Sequence, residues 1–129
     1  MSKVFLHRTA KSDKLLGHIK NDGTVFRSDA GLDDKIGRVE LDSGKIYATK
    51  FGPDNYVGNV DLDNGEVHKH IARRSDEYLG KVRTDGRIYR HVSAGPDDYV
   101  GKLDKPASLA HTGAAFLLLV WPVVSEQSE

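Results

Sequence analysis

Three residue types recur in this chain at spacings that could do chemistry. An aspartate stands four residues before each of five glycines: Asp13, Asp33, Asp54, Asp76 and Asp97. If the units that carry them form a ring, the carboxylates make a circle on one rim, suited to a cation or to sugar hydroxyls. The plainer role is local, because an Asp side chain bends a loop by accepting a nearby backbone N–H and needs no ligand for it. One carboxylate per unit also falls short of the converging oxygens that calcium takes. Tyr56, Tyr78 and Tyr99 share a second register, which Leu15 and Lys35 fill in the other units. Such rings could stack on sugars, or could pack across strands and stiffen them. Tyr56, Tyr78 and Tyr99 with Asp54, Asp76 and Asp97 are therefore the candidate ligand-binding set. His68 and His70 lie two apart and would share a strand face, which permits a metal pair, and His91 is the equivalent of His70. No third ligand type keeps their register, so they read as surface imidazoles, and neither a metal nor another cofactor is expected.

Other chemistries are excluded or left without support. The chain has no cysteine, which removes disulfides, thiolate metal sites and a Cys nucleophile. It carries no phosphate-binding loop, no Gly-x-Ser-x-Gly elbow and no His-Glu-x-x-His helix. Asp33-Asp34 and Asp97-Asp98 are carboxylate pairs, but they are adjacent in loops where nothing raises their pKa. Nineteen Lys and Arg balance nineteen Asp and Glu, so no net field draws the chain to nucleic acid. The basic stretch 69–90 is diluted by Asp76, Glu77 and Asp85 and reads as a solvated face. Catalysis needs different groups in one place, whereas repetition offers like groups in a circle, so an enzyme is not expected.

The elements behind these residues follow from a 21-residue period. Gly23, Gly44, Gly65 and Gly86 each follow a turn-former (Asp22, Ser43, Asn64, Asp85), which predicts two-residue hairpin turns. Before each turn runs an apolar-Gly-x-apolar strand, from Leu16-Gly17-His18-Ile19 to Leu79-Gly80-Lys81-Val82. After it comes a pair such as Val25-Phe26 or Ile46-Tyr47. Alternation puts Val4, Val25, Ile46, Val67 and Ile88 on one face, and Phe5, Phe26, Tyr47, His68 and Tyr89 on the other. Glycine weakens a strand, so five at one register imply a close neighbouring backbone or a bend. The ends complete each other: Val100-Gly101-Lys102-Leu103 lacks an outgoing partner, and Val4-Phe5 lacks an incoming one. The expected fold is all-β, a closed ring or barrel of five hairpins over residues 1–105, with the N-terminal strand completing the fifth.

Residues 106–124 read as an apolar helix of the same domain, and 125–129 as a frayed tail. Pro106 suits a helix start, Asp104 could cap it, and Pro122 should stop it. From Ala114 to Trp121 every position is apolar, so the helix must be buried all round. The run from Gly113 to Val124 is twelve residues, short of the ~20 that span a bilayer, which speaks against a membrane anchor. The helix could fill the ring, cover a mouth, or pack against a second copy. A 16-residue helix, about 24 Å long, exceeds a five-residue strand at about 17 Å. A protruding Leu-Val-Trp end is therefore expected, and with it a homodimer.

The unit of apolar-Gly-x-apolar, turn glycine, then Ile-Tyr or Val-Phe, resembles the repeats of uncharacterised bacterial β-flower proteins over about residues 4–103. That family is described as four-fold, whereas this chain carries four whole hairpins and a split fifth. The resemblance implies a small closed β assembly of unknown function and supplies no catalytic residues. From the residues themselves the expected role is a non-catalytic binding or protein-interaction module. The alternative is a small-ligand or carbohydrate binder that uses the Tyr and Asp set. The opening residues, Met-Ser-Lys-Val-Phe-Leu-His-Arg, lack an apolar signal core, which points to the cytoplasm.

Overall fold

A computed structural model describes residues 1–29, 31–49 and 53–126. Ten antiparallel strands close into a barrel. They are β1 (Ser2–Leu6), β2 (Lys14–Ile19), β3 (Thr24–Asp29), β4 (Leu32–Val39), β5 (Lys45–Ala48), β6 (Asn55–Val60), β7 (Glu66–Lys69), β8 (Glu77–Val82), β9 (Arg87–Arg90) and β10 (Asp98–Leu103). Each strand pairs with its sequence neighbours, and β1 pairs with β10 through Val4↔Leu103, Phe5↔Lys102 and Leu6↔Gly101. The split hairpin is thus zipped, and the sheet has no free edge to recruit another chain.

The turns differ from the expected two-residue form. Lys20 and Arg83 bond across three-residue loops to Thr24 and Arg87, while Glu40 and Asp61 bond across four-residue loops to Lys45 and Glu66. All four loops end on a glycine with φ between +80° and +95°, the conformation that a side chain resists. The turn-former before each glycine takes the backbone N–H two residues on: Asp22 from Thr24, Ser43 from Lys45, Asn64 from Glu66 and Asp85 from Arg87.

Both reasons offered for the strand glycines apply. In every unit the pairing slips by one residue beside the glycine, so that Leu16, Ile36, Val57, Leu79 and Val100 are extra residues in five β-bulges. The bulge bends the strand, and the glycine lets the next strand close in. At Gly58 a Cβ would overlap the His68 carbonyl oxygen and press on Leu117 of the helix. Val4, Val25, Ile46, Val67 and Ile88 are fully buried and face inward, with Phe5, Phe26, Tyr47, His68 and Tyr89 half-buried on the outer wall.

The C-terminal helix fills the barrel. It consists of α1 (Leu109–Ala115), a π-helical stretch over Phe116–Val120, and α2 (Trp121–Val124). Its start differs from expectation. Ser108 is the cap, accepting from the His111 N–H, while the Asp104 carboxylate instead accepts from the Lys3 N–H and fastens the β1–β10 seam. Pro122 does not stop the helix. The wider π turns precede it and the Trp121 N–H bonds back to Phe116 O, so the helix shifts its register by one residue where the proline, which has no N–H to donate, enters it.

The protruding Leu-Val-Trp end is not found either. Leu117, Leu118, Leu119 and Val120 are buried and Trp121 is half-buried. A second copy could still reach exposed Pro122 and half-buried Trp121 and Val123. At that mouth Arg90 donates to Val124 O at 3.0 Å and lies 5.3 Å over the Trp121 ring, placing a cation at the negative end of the helix dipole. Among the described residues no helix is long and apolar enough to cross a membrane. Of the terminal tail expected at 125–129, residues 127–129 lie outside the described residues.

Candidate functional site

Because the helix occupies the lumen, the repeated polar and aromatic side chains are displayed on the outer wall. The five recurring aspartates do not make the local turns expected of them. Each instead meets the side chain that ends the preceding outgoing strand, at positions 7, 28, 49, 70 and 91, which keep the 21-residue period. Asp33 accepts from Ser28 Oγ at 3.0 Å, and Asp54 from Thr49 Oγ1 at 2.6 Å. In the other three units the partner is an imidazole. His70 Nδ1 lies 3.2 Å from Asp76, and His7 and His91 Nδ1 lie 3.5 Å from Asp13 and Asp97. The carboxylate thus latches the long loop to the strand it leaves.

Asp54 is also held by the Arg38 guanidinium. The Thr49 hydroxyl first, and Arg38 after it, stabilise the carboxylate and hold its pKa below the ordinary Asp value. Thr49→Val, which keeps shape and removes the donor, should move the Asp54 titration upward. Carboxyl-carbon NMR during an acid titration reads this directly, and an unmoved midpoint would show that the hydroxyl does not set it. Since the folded-state pKa is depressed, this latch contributes stability above the unfolded Asp pKa and loses it as the pH falls through the folded one.

The three histidine units carry the tyrosines. Tyr56 packs against His70 at 5.0 Å between ring centroids, Tyr78 against His91 at 5.0 Å, and Tyr99 against His7 at 4.8 Å. On its other side each tyrosine meets a ring of the previous strand: Tyr47 at 5.9 Å, His68 at 5.4 Å and Tyr89 at 5.7 Å. Three stacks of three rings therefore stand side by side from β5 round through β10 to β1, across the seam. Burial, and after it the Asp97 carboxylate, pushes the Tyr78 phenol above its ordinary pKa; burial and Asp13 do the same for Tyr99. Both remain protonated donors at neutral pH.

The structure therefore joins the candidates differently from the sequence. Tyr56 is joined to His70 and Asp76, not to Asp54, and Tyr78 is joined to His91 and Asp97. His68 belongs to the stack of Tyr78, and among the described residues no carboxylate pairs with its nitrogens. The third stack uses His7 and Asp13 with Tyr99. His7 is the residue that sequence reasoning missed, although the period that places Val4 beside Val25 also places His7 with His70 and His91. A ring with Nδ1 toward a carboxylate presents Nε2 outward as an acceptor or a metal ligand. Here, however, the copies stand apart. Among the described residues no three His, Asp or Glu side chains gather to hold a metal.

Comparison with protein-family models, curated proteins and solved structures returns no match.

Proposed function

We propose that this protein is a non-catalytic binding module that meets its partner with the outer wall, through the three consecutive Tyr–His–Asp stacks. One observation carries the reading: the helix fills the barrel with Phe116, Leu117, Leu118 and Leu119, so the repeated side chains are turned outward rather than around an internal ligand space. The stacks stiffen the wall and present tyrosine hydroxyls and imidazole Nε2 atoms at regular intervals. A preformed surface of this kind loses little entropy on binding. The resemblance to β-flower proteins is compatible with such a scaffold and adds no activity to it.

A carbohydrate binder using the same tyrosines is the second reading. A sugar held by the Tyr and Asp set is disfavoured, because each tyrosine already packs against rings on both sides and each aspartate is already engaged. The test is to probe glycan and peptide arrays with the labelled chain and with Tyr78→Lys/Tyr99→Lys, which borrows the residue found at position 35. The reading expects at least one class of hit, weakened tenfold or more in the variant at an unchanged melting temperature. Hits indifferent to the substitutions, or no hit in either array, would overturn it.

A further inference from the structure

The outer wall is covered unevenly. The residue after each strand glycine points outward and directly faces the aromatic position of the next strand: His18 opposite Phe26, Arg38 opposite Tyr47, Asn59 opposite His68 and Lys81 opposite Tyr89. In the flanking sectors a large or cationic group lies over that ring. His18 stacks on Phe26 at 4.9 Å, Arg38 sits 4.3 Å over Tyr47, and Arg83 sits 5.0 Å over Tyr89. Asn59 is too short to do this. Its Nδ2 donates to the Tyr56 hydroxyl at 3.1 Å, and a surface cleft of about 440 Å³ lies here on β5, β6 and β7, larger than the hollow of about 300 Å³ beside Phe5 and Lys102.

From this we infer that the cleft binds a small, neutral, hydroxyl-rich molecule of the sugar class. The inference rests on the outer wall being the binding surface, but it uses one sector, to which the first two stacks lend Tyr56 and His68. Lys45, Tyr56, Asn59, Asp61, Leu62 and His68 line the space. Their free groups include both donors and acceptors. The Lys45 ammonium and the Tyr56 O–H donate, the Asn59 carbonyl oxygen accepts, and the His68 imidazole does either; among the described residues none of these has another partner. Asp61 already accepts from the Asp63 and Asn64 N–H groups through one oxygen, and its second oxygen is open. A hydroxyl is both donor and acceptor, so several on one small ring can satisfy such a set. Lys45 and Asp61 bring one charge of each sign to the lining, which therefore favours a neutral ligand over an ion of either sign. The His68 ring and the Leu62 side chain supply the apolar surface on which the C–H face of a sugar can rest.

The experiment is a two-dimensional amide NMR titration of the full chain with a panel of free monosaccharides at millimolar concentration, repeated on Asn59→Lys. That variant installs what the sibling positions 81 and 102 already carry, so it should fold, and it leaves all three ring stacks intact. At least one sugar should shift the Asn59 side-chain amide and the backbone of residues 56–61 and 68, with affinity falling at least tenfold in the variant. Saturable shifts that persist in Asn59→Lys, shifts located elsewhere, or none from any sugar would overturn the cleft. Tyr99→Lys separates the two readings, because the Tyr99 ring meets His7 and Tyr89, neither of which lines the cleft. It should leave sugar shifts unchanged, whereas loss of array hits in that variant with no sugar shifts in the parent would keep the wall and discard the cleft.

Discussion

A chain ended at Lys105 is expected to lose its fold. Truncation leaves all ten strands and their hydrogen-bonding partners present, so a sheet held by backbone pairing alone would survive it. The interior says otherwise. Val4, Val25, Ile46, Val67 and Ile88 from the wall, and Ala114, Phe116, Leu119 and Val120 from the helix, belong to one continuous buried cluster. Deleting a large buried side chain costs roughly 2–5 kcal/mol each. Four such losses, at Phe116, Leu117, Leu118 and Leu119, match or exceed the total stability of a typical domain, about 5–15 kcal/mol. The emptied lumen is apolar, so water entering it finds few groups to bond. The truncated chain should therefore give a collapsed spectrum by amide NMR, bind a hydrophobic dye and elute with aggregates. Adding a peptide of residues 106–129 in trans should restore dispersion. A dispersed, monomeric spectrum without the helix would mean that the barrel closes on its backbone alone.

The same comparison of wall and helix explains what could be read from the residues beforehand. The period in turn glycines and inward valines fixes the hairpins, the inner face and the joining of β1 to β10, because each depends on local alternation and on counting. The latches were not legible. Asp76 is six residues beyond His70 while Asp54 is five beyond Thr49, and the partner changes from Ser28 to His70, so neither spacing nor residue type repeats cleanly. Their recognition needs the strand end and the loop brought together in space. His7 was hidden for a different reason: it precedes the first turn glycine and belongs to a unit whose other half lies at Val100–Leu103. The length comparison between helix and strand failed at Leu119–Trp121, which the barrel still covers. Pro122 misled because the rule that proline ends a helix assumes an α register, and Phe116–Val120 are in a π register.

Gly113→Ala should be destabilising even though alanine is the better helix former. In a solvent-exposed helix the exchange would gain up to about 1 kcal/mol. Inside the barrel a Cβ at position 113 would lie 2.5 Å from Val60 Cβ and 2.7 Å from both of its γ carbons. Overpacking of this kind costs about 1–3 kcal/mol, and Val60, fully enclosed between the helix and its own sheet, has little room to yield. The clash should win, lowering the denaturation midpoint without changing the slope. A double-mutant cycle with Val60→Gly tests the cause, because removing the Cβ at 2.5 Å together with both γ carbons should make the substitution at position 113 markedly less costly. Strict additivity of the two changes would show that helix and wall do not meet there. The contact also matters outside the barrel. Val60 and Asn59 are consecutive on β6 and point to opposite faces, so seating the helix on Val60 sets the height of the strand that carries the floor of the outer cleft. Gly113→Ala should therefore also shift the Asn59 side-chain amide resonance, whereas a core substitution on the opposite wall, such as Val4→Ala on β1, should leave it in place.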